Sequence, residues 1–395
     1  MTAWSQTPLG DVLQERRWPA SDADIVSGQT RIVAKVGFDD GRIHLRAGLQ
    51  TKTPMILVEP GDLLVSGINA AKGAIAIHDQ HELGPIAATI HYGVYQPDTQ
   101  KVEARFLWWM LRSRFFRHLL AHYLPGGIKT ELKAKRLLPI PVPLPPLGEQ
   151  RRILHRIEEI ASKVQAARAA RIKALEAVQA LMAAELGAVF RRLAERYPVL
   201  TLGDLTSYIV DGPHQTPRYL SDSHGIPFVT VKNMVTGTLY LSDLNYISVT
   251  DHREFSRRCH AQRGDVLYSK DGATRGRPCY VDTDDEFSFF VSVALIKPLR
   301  DRLDGRFLVH LLNSSWIKDR MIDKSRGDMI PHIVLREIRG FPVPAPPLEE
   351  QYRIVAQLDE LQAKAHSVRR FQAETAADLD AMLPAILDRA FKGGL

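Results

Sequence analysis

Two stretches of the chain carry apolar residues at alternating four- and three-residue spacing for much longer than one globular domain needs. The first runs through Ile153, Ile157, Ile160 and Val164, slips between Ala167 and Ile172, and resumes at Leu175, Val178, Met182, Leu186, Val189 and Leu193. The second passes without a slip through Ile354, Leu358, Leu361, Ala365, Val368, Gln372, Thr375, Leu379, Met382 and Ile386. A narrow apolar stripe at this period is a coiled-coil seam and requires a partner helix. Each stretch can serve the other, so the two are predicted to pair within the chain, antiparallel. Gln372 and Thr375 are polar seam positions that set register at a cost in stability, and Pro384 is expected to kink or fray the last turns.

Both helices are approached through one phrase. Pro141-Val142-Pro143-Leu144-Pro145-Pro146-Leu147-Gly148-Glu149-Gln150 returns as Pro342-Val343-Pro344-Ala345-Pro346-Pro347-Leu348-Glu349-Glu350-Gln351 at a constant offset (342 − 141 = 201). The molecule therefore reads as two copies of a globule followed by a helical arm. Proline fills five of the eight positions 139–146, which excludes helix and predicts a stiff, extended, polyproline-like spacer. Ahead of each phrase, short β-rich runs broken by Gly and Asp turns mark a mixed globule: 31–36, 55–58 and 86–95 in the first, 227–231, 265–268 and 289–296 in the second. Each globule has one amphipathic helix, over 102–123 and near 305–323. The predicted fold class is α+β: two similar mixed α/β domains, 1–146 and 198–347, separated by two long antiparallel coiled-coil helices, 147–197 and 348–395, as a pseudo-two-fold internal repeat.

At 395 residues, 45% of them hydrophobic, the chain has material for two or three cores. Its 52 Lys and Arg exceed its 45 Asp and Glu, a net charge of +7 that favours a polyanionic partner without proving one. Cys259 and Cys279 have no metal-ligand spacing and form no close pair, so free thiols in a reducing compartment are expected. No run approaches the ~18 apolar residues of a membrane span, and the first residues lack a signal pattern, so a cytoplasmic location without membrane contact is expected.

Motifs for catalysis are missing. There is no G-x-x-x-x-G-K-[ST], no G-x-G-x-x-G after a strand, no H-E-x-x-H, and no Asn/Asp-Pro-Pro-aromatic motif of an amino-methyltransferase. Pro97-Asp98 with Glu131-x-Lys133 has the residue types of a nuclease metal site, but the second copy has no counterpart, so the expectation is no catalytic and no metal site. What recurs is a small-residue loop after a strand. Gly264-Asp265-Val266-Leu267-Tyr268-Ser269-Lys270 leads to Arg275-Gly276-Arg277, as Gly61-Asp62-Leu63-Leu64-Val65-Ser66-Gly67 leads to Lys72-Gly73. Small residues let backbone approach a phosphate and the cation neutralises it, the positioning class of nucleic-acid contact. The bland alternative is a turn with an exposed cation.

With its duplicated Pro-x-Pro-x-Pro-Pro-Leu-x-Glu-Gln phrase and its globule-helix-globule-helix order, the chain resembles the specificity subunit of type I restriction-modification enzymes over essentially its full length. Asp211-Gly212-Pro213-His214-Gln215-Thr216-Pro217, Ile226-Pro227-Phe228-Val229-Thr230-Val231-Lys232-Asn233 and Phe290-Val291-Ser292-Val293 add to the likeness. The first globule lacks an Asp-Gly-x-His-x-Thr-Pro counterpart between Gln14 and Gly28 and a clear counterpart of the second segment. The resemblance implies a non-catalytic reader of a bipartite site in double-stranded DNA, each globule a target recognition domain and the helices the scaffold. It implies two methyltransferase subunits as partners, bringing S-adenosylmethionine, and a restriction subunit bringing ATP and Mg2+, with no cofactor in this chain. Candidate DNA contacts are Lys72, Lys129, His214, Lys232, Asn233, Lys270, Arg275 and Arg277; Asn suits adenine and Arg suits guanine. The alternatives are a coiled-coil adaptor that does not read DNA, and the specificity subunit of a modification-only or other phage-defence methyltransferase.

Overall fold

The computed structural model describes residues 4–46, 53–123, 131–221, 224–235, 237–272, 275–322 and 333–394. It divides into two compact units, Met1–Arg171 with Ala373–Leu395, and Ile172–Gln372. In the first unit the short apolar runs become β1 (Ser5–Pro8), β2 (Leu13–Arg16), β3 (Arg31–Val36), β4 (Ile43–Arg46), β5 (Met55–Val58), β6 (Leu63–Ser66), β7 (Ile75–Ile77), β8 (Ile86–Thr89), β9 (Tyr92–Pro97) and β10 (Pro141–Leu144). Two four-stranded sheets, ordered β2-β9-β6-β7 and β4-β3-β8-β5, share a core, and β1 pairs with β10. In the second unit the strands are β11 (Val199–Thr201), β12 (Thr206–Asp211), β13 (Ile226–Val229), β14 (Met234–Val235), β15 (Thr238–Leu239), β16 (Asn245–Ile247), β17 (Val266–Ser269), β18 (Pro278–Tyr280), β19 (Ser288–Phe289), β20 (Val293–Pro298) and β21 (Pro342–Pro344). They form sheets ordered β12-β20-β17-β18-β15-β14 and β16-β13-β19, with β11 paired to β21.

The repeat extends to places where the sequence hides it. The parallel pair β13–β19 has its counterpart in β3–β8, so the first globule does hold the strand its sequence leaves unclear. Backbone pairing does not need the same side chains. The predicted strands 86–95 and 289–296 are each two strands, because the chain there leaves one sheet and joins the other. The predicted single helices are also each two, Ala104–Arg112 then Arg114–Tyr123, and Gly305–Asn313 then Ser315–Ile322. A serine makes each break: Ser113 Oγ donates to Met110 O and accepts from Phe116 N, and Ser314 Oγ does the same with Leu311 O and Ile317 N.

The proline phrase is extended, but it is a paired strand and not a free polyproline spacer. β10 lies antiparallel to β1 with Thr7 opposite Val142, and β21 lies antiparallel to β11 with Leu200 opposite Val343. A two-stranded ribbon tolerates this because prolines alternate with residues that keep an N–H. The helix that follows starts on a buried glutamine. Gln150, 0% exposed, accepts from Glu103 N (2.9 Å) and donates to Lys101 O (3.0 Å) and Pro145 O (2.8 Å). Gln351, also 0% exposed, accepts from Asp304 N (2.9 Å) and donates to Arg302 O (2.8 Å) and Pro346 O (2.9 Å). One side chain thus joins proline strand, long helix and globule helix. Beside it, Arg105 lies between Asp79 (3.8 Å) and Glu158 (3.1 Å), and Arg306 between Asp282 (3.7 Å) and Asp359 (3.8 Å). These exposed bridges add little energy but fix direction.

The long helices are Leu147–Arg196 and Leu348–Phe391, of 50 and 44 residues. In the first unit Ile153, Ile157 and Ala161 share a core with Leu387, Ala390 and Phe391, and Arg168 bonds Asp380 at 2.6 Å. In the second, Phe190 and Leu193 share a core with Ile354, Val355 and Leu358. In both units the beginning of one helix meets the end of the other, so the pairing is antiparallel. The globule helices cap it with edge-on rings, Phe106 on Phe391 at 5.4 Å and Phe307 on Phe190 at 5.3 Å. Val164 is buried, while Ile160, Leu175, Val178, Leu361 and Leu379 are half-buried. Val368 and Met382, predicted in the seam, are instead 37% and 45% exposed. A 3.6-residue helix drifts about 20° per heptad against a 3.5 repeat, and by the last turns the buried stripe has moved to Leu387, Ala390 and Phe391. Pro384 lies within the C-terminal helix, which continues to Phe391.

Replacing Gln351 with Leu keeps the bulk but leaves Asp304 N–H and the Arg302 and Pro346 carbonyls without their partner. A loss on the order of 3 kcal/mol is expected, read as a lower urea midpoint by circular dichroism; an unchanged midpoint would remove Gln351 from this role.

Candidate nucleic-acid interface

Strand register decides which loops meet. In the second unit, Asp211 at the end of β12 lies opposite Ala294, and Tyr268 near the end of β17 lies opposite both Ala294 and Pro278. The loop leaving β12 and the loop joining β17 to β18 therefore emerge at one edge of the six-stranded sheet. A buried ion pair bolts them together. Lys270, 2% exposed, holds Asp211 Oδ2 at 2.8 Å, with Arg258 at 3.7 Å from the other oxygen. Gly212 is required beside it, since a Cβ there would collide with Phe289 O and the Phe290 backbone.

Of the predicted contacts, this edge gathers His214, Arg275 and Arg277. His214 is exposed in the loop after β12. Arg277 is exposed while its backbone is pinned to Ser269, N to Oγ at 2.9 Å and O to Ser269 N at 3.0 Å. Arg275 is half-buried, and its Nη1 is enclosed without a hydrogen-bond partner. Tyr268 lies beneath this turn, and burial pushes its phenol up despite the opposing Arg275 charge. Lys232 is exposed on the turn Val231–Asn233. Two expectations are corrected. Lys270 is committed to Asp211 in the core and offers no charge to a ligand. Asn233 is buried, and its Oδ1 accepts from Thr230 N (3.0 Å) and Oγ1 (3.2 Å), which makes it a turn-holding residue.

In the first unit the matching loop follows β6. Lys72 is exposed there and stands 5.9 Å from the Phe38 ring. Arg112 secures this corner through Phe38 O (3.1 Å), Asp39 O (2.6 Å) and Gly73 O (3.2 Å) while stacking on Trp108, and burial lowers its pKa to about 10. Gly73, at φ +95°, closes the turn against Phe38 O. Lys129 lies outside the described residues.

Asp98 and Glu131 do not meet. Asp98 follows Pro97 at one end of β9 and pairs with Lys101 (3.0 Å), whereas Glu131 sits by His91 (3.8 Å) before the other end and pairs with Lys133 (3.2 Å). Among the described residues no group of three or more His, Cys, Asp or Glu is placed to hold a metal ion, and no helix is long and apolar enough to cross a membrane. Cys259 and Cys279 are free and buried, and burial pushes their thiols up to about 11 and about 12. Sequence reasoning missed Asp211, Gln150, Gln351, Arg105 and Arg306 as site-building residues; the constant offset of 201 that relates the glutamines and the arginines was the available signal.

Comparisons with known proteins agree with this architecture. A family model described as the type I restriction modification DNA specificity domain matches residues 1–177 and again 195–372. The chain is 26% identical over 317 residues to the type I restriction enzyme EcoBI specificity subunit of Escherichia coli, a match covering 72% of this chain and 66% of that subunit, just short of two thirds of its length. It is 22% identical over 325 residues to the putative type I restriction enzyme MjaX specificity subunit of Methanocaldococcus jannaschii, covering 75% and 71%. Among solved structures, the HsdS subunit of Thermoanaerobacter tengcongensis superposes with a TM-score of 0.66 at 23% identity, covering 100% of this chain and 98% of that one. A chain from work on complex assembly and conformational transition of the type I R-M system superposes at 0.76, also at 23% identity, covering 100% and 99%. These two likenesses establish the shared fold; the doubled family match carries the assignment. With two such domains and a long helix between them, the chain belongs to the type I restriction-modification specificity subunits.

Proposed function

We propose that this chain is the non-catalytic DNA reader of a type I restriction-modification complex, each of its two domains recognising one part of a bipartite target in double-stranded DNA. The observation that carries the reading is the duplicated joint. Gln150 and Gln351, with Arg105 and Arg306, fasten each domain to the paired helices through the same bonds, while the loop edges differ. Two readers fixed alike but facing DNA with different residues suit two different half-sites with an unread interval. The helices' remaining surface then serves two methyltransferase subunits, which bring S-adenosylmethionine, and a restriction subunit, which brings ATP and Mg2+. Lys72 in the first unit and Arg275 and Arg277 in the second supply positive loop edges, with His214 beside the latter pair, phosphates being taken by the exposed Lys72 and Arg277 and base edges by the half-buried Arg275 guanidinium or His214.

Exchange of residues 201–346 for those of another family member, in the complex with methyltransferase, is expected to change one half of the methylated target and leave the other. An unchanged modification map would sink the assignment. Arg277→Ala is expected to weaken binding of all sequences alike and to reduce the slope of log affinity against log salt by about 1; an equal slope would remove Arg277 from the phosphate contacts. Lys270→Met acts differently, because it leaves Asp211 charged in the core. It should destabilise the chain by roughly 3–5 kcal/mol, measured by urea unfolding.

A further inference from the structure

The two joints between globule and long helix differ sharply along one face of the globule helix. In the first, Trp108 donates its Nε1–H to Ile75 O (2.9 Å), and its ring lies between two guanidinium groups, Arg105 at 4.2 Å and Arg112 at 4.5 Å. At the offset of 201 the second joint keeps Arg306 for Arg105, but Val309 replaces Trp108 and Asn313 replaces Arg112.

The smaller pair leaves its space open. A Cβ on Gly41 would lie 2.7 Å from Arg112 Cζ and 2.8 Å from Ile75 O. Gly237 borders the matching helix positions, yet a Cβ there would meet nothing closer than Val309 Cγ1 at 3.8 Å, with Asn313 Nδ2 at 3.9 Å and Pro278 O at 4.0 Å. The result is a cavity of about 510 Å³, lined by Tyr280, Asp282, Arg306, His310, Asn313 and Asp359 among others. That volume falls inside the roughly 300–1,000 Å³ of a ligand site.

The walls select what can enter. Asp282 and Asp359 flank Arg306 at 3.7 and 3.8 Å, too long for hydrogen bonds, and neither carboxylate is buried. Arg263 pairs with Asp282 but also with Asp284, so it adds no net charge. His310 Nε2 bonds Asp359 Oδ1 at 2.8 Å and leaves the other oxygen to the cavity side of Arg306. Two carboxylates thus share one arginine, whereas the first joint sets Asp79 and Glu158 beside Arg105 and adds Arg112. Asn313, Thr283 and Gln362 contribute further oxygens that accept hydrogen bonds, and the Tyr280 ring offers a flat wall. An anion would be repelled by the carboxylates, and an apolar group would cover acceptors without satisfying them. A planar cation with several N–H donors meets every condition, and a guanidinium is that group.

We propose that this cavity receives an arginine side chain from a partner protein, and that the first joint has no such receptor because its own Trp108 and Arg112 occupy the place. Asp359 and Gln362 belong to the C-terminal long helix, so the cavity is continuous with the helix surface assigned above to the methyltransferase subunits. The arginine comes from the subunit seated on that surface, an assignment that rests on the function proposed above. Two identical partner subunits are then held unequally, one at a joint already closed and one by an inserted arginine.

The test is a chain that fills its own cavity. Val309→Trp with Asn313→Arg copies the first joint into the second. Titrated with purified methyltransferase subunit and followed by sedimentation velocity, the wild-type chain is expected to take up two copies. The filled chain should take up one copy unchanged and the other about ten- to thirtyfold more weakly. Phenylglyoxal modification read by mass spectrometry should find a methyltransferase arginine protected in the wild-type complex and reactive in the filled one. Asp282→Asn, at an exposed position, removes one carboxylate without a change of packing and should weaken the same step about three- to fivefold; it decides the matter if circular dichroism shows that the filled chain does not fold. Wild-type affinity in the folded filled chain or in Asp282→Asn, or the lack of a protected arginine, overturns the inference. If the wild-type chain does not take up two methyltransferase subunits, the partner assignment proposed above fails instead, and the inference with it.

Discussion

A glutamine with every polar atom engaged and no exposed surface is a demanding thing to bury, because each of its bonds must be made at once. Gln150 and Gln351 meet that demand by joining three segments that are distant in sequence: the proline strand just before the helix, the turn that opens the globule's own helix, and the first turn of the long helix. None of the three can shift without stranding a backbone group in the interior. The prolines contribute by removing alternative backbone paths, and the arginine bridges contribute direction. A rigid joint of this kind lets a domain be carried by a helix without being fused into its surface.

The two loop edges diverge on top of that shared frame. Register brings the same strand ends together in both units, yet one edge is held by a lysine–aspartate pair and the other has glycine and arginine at the corresponding places. The difference arises from a few small substitutions: glycine for lysine at position 67 against 270, arginine for aspartate at 17 against 211, glycine and tyrosine for alanine and isoleucine in β9 against β20. The backbone hydrogen bonds around Gly67 and Lys270 remain the same. Side-chain chemistry at the edge is thereby free to change while the sheet beneath keeps its geometry.

The long helices, the duplication and the fold class were legible because they depend on periodicity and repetition, which a single sequence displays directly. The breaks at Ser113 and Ser314 were not, since a serine in an apolar helix pattern looks like a tolerated polar residue until its hydroxyl is seen capping the next turn. The run 31–36 was legible as a strand, but its equivalence to β13 was not, because the pairing with β8 that reveals it is a backbone property. Val368 and Met382 were misplaced in the seam because a strict four-three count ignores the slow rotation of a real helix. Residue type also misled at the site: Lys270 and Asn233 have the chemistry of DNA contacts, and only burial and partners show that one balances a core charge and the other holds a turn.

The Lys270–Asp211 pair has a bearing on how such a chain can change over generations. Either residue lost alone strands its partner's charge in the core, so the second unit can alter the support of its edge only when both change together or when a hydrophobic pair replaces them. The first unit has no such interlock, since Gly67 has no side chain and Arg17 pairs with Glu15 at the surface. The two halves of the molecule should therefore drift at different speeds: the first by single steps, the second by rarer paired ones.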